Sequence, residues 1–286
     1  MSFFKNPSWI SQHTYSYKNV DDVPEREYSQ INQKLAQFKQ SENPEVSVVI
    51  AAWNEEVNLL PTIGSLADSV TEIPFEILVV NNNSTDRTQE VLDKLNIRSC
   101  IQTIQGCGPA RQMGLEQAKG KYILSADADC IYPPLWIEKM VKALRPEDVA
   151  CVYGRYSFIA NDVTPRWKLS IYETLKDVMA EIRQVKRPYL NTLGMTMGYR
   201  TADALKVGYV MTNVRGEDGR LTFDLMPMGK VVQVKDRDAR VWTGTRTLDK
   251  DGSFFKMVSI RIVKEIKRIF EYFKPLAPHD TKTSKS

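Results

Sequence analysis

Three times in its first half the chain runs through a short apolar, largely β-branched segment and stops at a cluster of polar residues. Val46 to Ala52 ends at Trp53-Asn54-Glu55, Phe75 to Val80 at Asn81-Asn82-Asn83-Ser84-Thr85-Asp86, and Tyr122 to Ala126 at Asp127-Ala128-Asp129. Between them lie stretches with helical spacing. These are Glu56 to Ser69, a helix capped by Ser84 and reaching about Leu95, and Ala110 to Lys119 behind the turn Gly106-Cys107-Gly108-Pro109. Cys100 to Ile104 reads as one more strand. Strands without polar alternation are buried on both faces, so the pattern predicts an α/β fold with a mainly parallel, Rossmann-like sheet flanked by helices. Ligands of such sheets sit beyond the carboxyl ends of the strands, where loop amides and helix N-termini converge, and the three polar clusters fall there.

The rest of the chain is read around that sheet. Residues 1–44 form an N-terminal arm whose one regular feature is a polar helix after Pro24. The core domain spans 45–247, divided near residue 130 into halves of 45–130 and 131–247. In the second half, Pro133-Pro134 opens a helix through Leu144, Val149 to Ile159 alternates like a strand, and 165–187 has helical spacing. Asn191 to Arg200 is rich in Gly and Met, Glu217-Asp218 opens a short helix after Gly216, and Val231 to Val234 and Ala239 to Trp242 read as strands. Residues 248–286 hold an amphipathic helix and a disordered tail.

Histidine narrows the chemistry. The chain has only His13 and His279, both near its ends, so Ser-His-Asp or Cys-His catalysis and histidine-ligated zinc have no residue to use. A general base must then be a carboxylate. Cys100, Cys107, Cys130 and Cys151 form no C-x-x-C pair, and reduced, buried thiols are expected. Net charge is 39 − 35 = +4, which gives no support to a nucleic-acid partner. No segment approaches the roughly 18 apolar residues of a membrane span, which predicts a cytoplasmic protein.

Asp127 and Asp129 are two residues apart, so in an extended segment their carboxylates point the same way and suit a hard cation, Mg²⁺ or Mn²⁺. Asp236/Asp238 and Asp249/Asp251 repeat the spacing, and position after a buried strand is what singles out the first pair. At the other end, Phe255, Val258, Ile262, Ile266, Ile269 and Phe273 recur at helical spacing among Lys and Arg. That stripe suits either packing on the domain or peripheral contact with the cytoplasmic face of a membrane.

In order, VSVVIAAWNEE, VVNNNSTDRT, GPARQMG, LSADADC and GED resemble glycosyltransferase family 2, the inverting nucleotide-sugar transferases of GT-A fold, over roughly residues 46–246. The resemblance implies transfer of a sugar from a nucleoside-diphosphate donor, with uridine the implied base, to a hydroxyl acceptor such as a lipid-linked or cell-surface glycan. It makes 45–130 the nucleotide-binding half and 131–247 the acceptor-binding half. It places Ala52, Trp53 and Glu55 at the nucleobase, with Trp53 as the stacking face. Asn82 stands where many members have the aspartate that accepts a base proton, and Arg111 lies near the nucleotide. Asp127 meets ribose or Arg111, Asp129 is the direct metal ligand, and the Glu217-Asp218 pair carries the catalytic base, Asp218 in preference to Glu217. Arg246 is a candidate diphosphate contact. Two other readings stand beside it. One is a non-catalytic nucleotide-sugar-binding or scaffold protein of the same fold, which Asn81-Asn82 keeps open. The other is a nucleotidyltransferase, although AAWNEE is not the glycine- and arginine-rich loop that activity uses. A dehydrogenase is disfavoured because no G-x-G-x-x-G follows the first strand.

Overall fold

The computed structural model describes residues 4–15, 17–38, 43–211, 216–246 and 263. In the first half, α1 (Glu25–Gln37), β1 (Val46–Ala52), α2 (Leu59–Ala67), β2 (Phe75–Asn81), α3 (Thr88–Asp93), β3 (Arg98–Ile101), α4 (Cys107–Gln117) and β4 (Tyr122–Asp127) follow one another. Then come β5 (Cys130–Ile131), α5 (Trp136–Leu144), β6 (Val149–Tyr153), β7 (Tyr156–Phe158), α6 (Arg166–Gln184), β8 (Met197–Arg200), α7 (Thr201–Val207), α8 (Glu217–Leu225), β9 (Lys230–Gln233) and β10 (Val241–Thr243).

Among the described residues seven strands form the main sheet, in the order β3-β2-β1-β4-β8-β6-β9. β1 pairs in parallel with β2 and β4, β2 with β3, and β6 with β9; only β8 runs the other way, between β4 and β6. The connection reverses direction between β1 and β4, and that switch opens a crevice at their carboxyl ends. Two antiparallel pairings cancel, so β6 and β9 end at that same edge. A smaller sheet, β5-β10-β7, lies beside it.

The period of two along β1 divides the core. Val46, Val48, Ile50 and Ala52 face the cluster built from α1, α2, α3 and α5, whereas Val49 faces α4, α7 and α8. On that second face α4 lies close to the sheet, because a Cβ at Gly114 would come 2.3 Å from Val49 Cγ1. The N-terminal helix joins the first face by burying Tyr28, Ile31 and Leu35 against α2.

Some boundaries differ from the sequence reading. The segment 149–159 is two strands in two sheets, broken at Gly154-Arg155. Gly- and Met-rich residues 191–200 contribute β8, a central strand. The third strand starts at Arg98 and ends at Ile101. α3 begins at Thr88, and Ser84 caps nothing: its hydroxyl accepts the Asn54 N–H at 3.0 Å. The amphipathic helix expected from about Ser253 to Lys274 lies outside the described residues, Val263 excepted, as do Asp249 and Asp251.

Candidate active site

The loops leaving β1 and β2 are stitched to each other. Asn54, at φ 54°, accepts the Thr85 N–H on Oδ1 at 2.8 Å. Glu55 N–H donates to Thr88 Oγ1, and Glu56 exchanges contacts with Asp86 and the Arg87 N–H. The Asn-Glu-Glu and Ser-Thr-Asp runs therefore stabilise each other and fix the crevice wall. Trp53 stands on it 56% exposed, its ring available as a stacking face. Ala52 is buried and its carbonyl accepts the Asn82 N–H at 2.8 Å.

Asn82 is also buried, and its side chain is fully engaged. Nδ2 donates to the carbonyls of Ile104 (2.7 Å) and Gln102 (3.3 Å), while Oδ1 accepts from the Gly106 N–H (2.8 Å) and Gln105 Nε2 (3.5 Å). Both donors and both lone pairs are used within the chain. In this geometry Asn82 clamps the loop that leads into α4.

That helix carries Arg111, which lies at the centre of the site. Its Nη1 donates to Ser125 Oγ and Nη2 to Asp127 Oδ1 at 2.8 Å. Its Nε sits 3.2 Å from Asp218 Oδ1 and 3.9 Å from Glu217 Oε1. The guanidinium is buried, which disfavours its charge, but Asp218 and Asp127 more than offset that cost and hold its pKa well above the ordinary value. Its planar fork lies on Gly194, where a Cβ would come 1.8 Å from Nη2.

Asp218 follows Gly216 and Glu217 at the start of α8, a place that favours negative charge. Oδ2 accepts the Gly194 N–H at 2.7 Å. Oδ1 is buried with no hydrogen bond, since the Arg111 Nε beside it is out of line. Burial raises the carboxyl, Arg111 pulls it down, and Glu217 and Asp127 push it up, leaving it at about 6. One oxygen is thus oriented and the other is left to accept a proton.

Asp127 and Asp129 stand at the carboxyl end of β4. The Asp127 N–H donates to Tyr132 Oη at 2.8 Å, and that hydroxyl donates to the Met195 carbonyl at 3.1 Å, which ties β4 to the segment before β8. Burial outweighs Arg111 in raising the Asp127 carboxyl. Donor atoms of Asp127, Asp129 and Cys130 lie within 4.8 Å of one another. Cys130 is buried, and burial keeps its thiol protonated. The hard donors are therefore two carboxylates, a set that fits Mg²⁺ or Mn²⁺ with water and phosphate oxygens completing the shell. Arg246 closes the crevice from the other side, with Nη2 2.8 Å from Glu55 Oε1 and 2.7 Å from Asp129 Oδ2. Glu55 also accepts from Asn58 Nδ2 at 2.5 Å, and burial raises its carboxyl despite both donors.

The fold therefore gathers Trp53, Glu55, Arg111, Asp127, Asp129, Glu217, Asp218 and Arg246 around one crevice, with Asn82 and Ala52 behind its wall. Sequence reasoning missed Ser125, Tyr132, Gly194 and the stitching residues Asp86 and Thr88. Gly194 had a faint signal in the glycine-rich stretch, and Asp86, Thr88 and Ser125 lay inside quoted motifs without being given a role; Tyr132 had no signal.

The family model described as Glycosyl transferase family 2 matches residues 47–206. The chain belongs to glycosyl transferase family 2. Its relatives include a dolichol-phosphate mannosyltransferase of Pyrococcus furiosus, 29% identical over 116 residues, which are 39% of this chain and 33% of that one. The match thus spans about a third of that relative's length. Two solved structures share the fold at a TM-score of 0.57. One is mannosyltransferase PcManGT from Pyrobaculum calidifontis in complex with GDP-Man and Mn²⁺ (16% identity, 88% of this chain and 72% of that one). The other is S. aureus TarS in complex with UDP (17% identity, 80% and 70%). The GT-A fold expected from the sequence is the fold observed. Among the described residues no helix is long and apolar enough to cross a membrane.

Proposed function

We propose that this family 2 chain is an inverting glycosyltransferase that moves one sugar from a nucleoside-diphosphate donor, a UDP-sugar first among candidates, to a hydroxyl acceptor. The observation that carries the reading is the buried Arg111, which joins the β4 carboxylate Asp127 to the helix-start carboxylate Asp218 across the crevice. Two acidic groups with separate tasks are held at one fixed spacing.

Inverting transfer needs a base on the face of the sugar opposite the leaving diphosphate. Asp218 suits it: Gly194 N–H orients Oδ2, and Oδ1 takes the proton of the acceptor hydroxyl as oxygen attacks the anomeric carbon. Glu217 stands beside it and its charge helps raise the Asp218 carboxyl. Asp127 and Asp129 would hold Mg²⁺ or Mn²⁺, which when bound neutralises charge on the departing diphosphate. Trp53 offers a stacking surface to the base, and Asn82 acts through the loop it clamps. Arg246, once released from Asp129, is a cation for the diphosphate. PcManGT is described with GDP-Man and Mn²⁺ and TarS with UDP, which supports testing both bases. The dolichol-phosphate relative makes a lipid-linked acceptor reasonable.

The test is donor turnover by purified protein with UDP- and GDP-sugars and Mn²⁺, for the parent, Asp129→Ala and Asp218→Asn. Expected is nucleoside-diphosphate release in the parent and its loss in both variants. Donor binding with no turnover under any acceptor would favour the scaffold reading, and unchanged turnover in Asp218→Asn would reject the assigned base.

A further inference from the structure

Beyond the carboxylates, the same sheet edge carries a second cavity, of about 450 Å³, off the ends of β6 and β9. With strands spaced near 4.8 Å, β6 and β9 stand roughly 10–15 Å along the sheet from β4, which carries Asp127. Its walls hold four cations, Arg155, Lys235, Arg237 and Arg240, against the carboxylates of Asp177, Glu181 and Glu173. Glu173 is already neutralised by a two-pronged contact with Arg166 within α6 (2.8 and 2.6 Å), and it also accepts from Ser157 Oγ and the Phe158 N–H, which anchors α6 to the small sheet. Arg240 meets Asp177 at 2.5 Å, and Glu181 is shared by Arg155 and Lys235. Two carboxylates thus face four cations. The buried Nε of Arg155 has no hydrogen-bond partner, and Arg237 forms no ion pair among the described residues. The cavity holds an excess of positive charge that an anion would balance.

The adjoining face of α6 is apolar and open to solvent. Trp167, Ile171, Leu175, Val178 and Val185 are 39% to 75% exposed, and their spacing of three, four and seven sets them in one row along the helix. Val178 belongs to both the row and the cavity wall. A continuous apolar row is an uncommon thing for a chain to leave in water, and its cationic flank says what chemistry suits it. A soluble sugar acceptor would need neither feature; a second copy of this chain would bring the same positive charge to the cavity.

We infer that this cavity and row form an acceptor-side site for an anionic amphiphile, a lipid phosphate whose phosphate enters the Arg155/Lys235/Arg237/Arg240 cavity and whose chain lies along α6. This rests on the reading of the chain as a glycosyltransferase, with β6 and β9, whose ends flank the cavity, two and three strands along from β4, a span that suits a short saccharide between lipid phosphate and the reaction site.

The test is isothermal titration of the full chain with decyl phosphate below its micelle concentration, with decyl maltoside and inorganic phosphate as separate arms. Melting with UDP, GDP and Mn²⁺ is followed on the same samples. Variants are Lys235→Glu with Arg237→Glu for the cavity, and Ile171→Ser with Val178→Ser for the row. All four positions are on the surface, so the fold should tolerate the changes. Decyl phosphate should bind more tightly than either control, and each double variant should weaken it roughly tenfold or more, the fold-change of one lost ion pair or buried side chain at such a site. Nucleotide-induced stabilisation should be untouched. Equal binding of the neutral and anionic amphiphiles, equal binding of inorganic phosphate, or no binding at all would overturn the inference. Binding of decyl phosphate without any nucleotide response would leave this site standing and tell against the donor reading instead.

Discussion

Asp218 carries a carboxyl lifted by burial to about 6 although a guanidinium lies 3.2 Å away. A base works ionised, so kcat/KM should rise with pH through about 6 and flatten above it, and Asp218→Asn should lower transfer by about 10²–10⁴-fold. The link to stability has the opposite sense. The folded chain binds this proton more tightly than the unfolded one, so the group's contribution is complete below its ordinary value of 3.8 and lost as pH rises through about 6. A Tm series across that window should show the slope in the parent and not in Asp218→Asn. Asn82 invites a second substitution. Asn82→Asp removes the donor to two carbonyls and sets a carboxylate against them, at a cost of about 1–3 kcal/mol, or several degrees of Tm. An unchanged melt would show that the clamp contributes nothing. Both residues were legible in the sequence as polar groups at element ends, because carboxylates and amides there are few and their order is fixed. That Asn82 spends its whole amide on residues 102–106 was not legible, since nothing in its spacing records which carbonyls would face it.

The short helical turn Gly194–Thr196 and strand β8 show where elements escape a sequence reading. Met197-Gly198-Tyr199-Arg200 lacks a β-branched run, and it is a strand because β4 and β6 flank it and supply its ladder. The split of 149–159 is likewise tertiary, made when Tyr153 ends in one sheet and Tyr156 starts in another. Uninterrupted runs such as Val46–Ala52 were legible because a strand buried on both faces needs apolar residues throughout. The segment before β8 also sets the site, since Arg111 rests on Gly194. Gly194→Ala puts a methyl where Nη2 lies, so the guanidinium must leave Asp127 or Asp218. Breaking a buried pair in this way costs about 3–5 kcal/mol. Turnover should fall with Tm, whereas Gly244→Ala, which meets nothing within 4 Å, should leave both as they are. Equal behaviour of the two variants would remove the packing argument.

At the scale of the whole molecule the site is closed by one residue from the far end of the fold. Arg246 reaches back across 191 positions to Glu55 and across 117 to Asp129, so it ties the loop after β1, the turn after β4 and the end of the small sheet together. The alternation of strands and helices made the crevice legible, but not this strap. Thr243-Gly244-Thr245-Arg246 is a weak motif, and its meeting with Asp129 depends on how β10 pairs with β5. The strap has a consequence for cation binding. Asp129 Oδ2 already accepts from a guanidinium nitrogen, so a divalent ion held by Asp127 and Asp129 as proposed would compete with Arg246 for it. The pair is about half exposed on the arginine side, which limits each contact to about 0.2–1 kcal/mol. Arg246→Ala should therefore tighten Mn²⁺ binding in the absence of nucleotide by a modest factor, roughly twofold to fivefold. Titration calorimetry of the two proteins with Mn²⁺ measures it. The same variant should lower the rate of transfer, because a cation freed from Asp129 by the metal is then lost to the diphosphate. Tighter metal binding with slower turnover supports both halves of the argument, since a purely structural strap would loosen the crevice and weaken both. Weaker Mn²⁺ binding in Arg246→Ala would mean that the arginine shapes the metal site and does not compete for it.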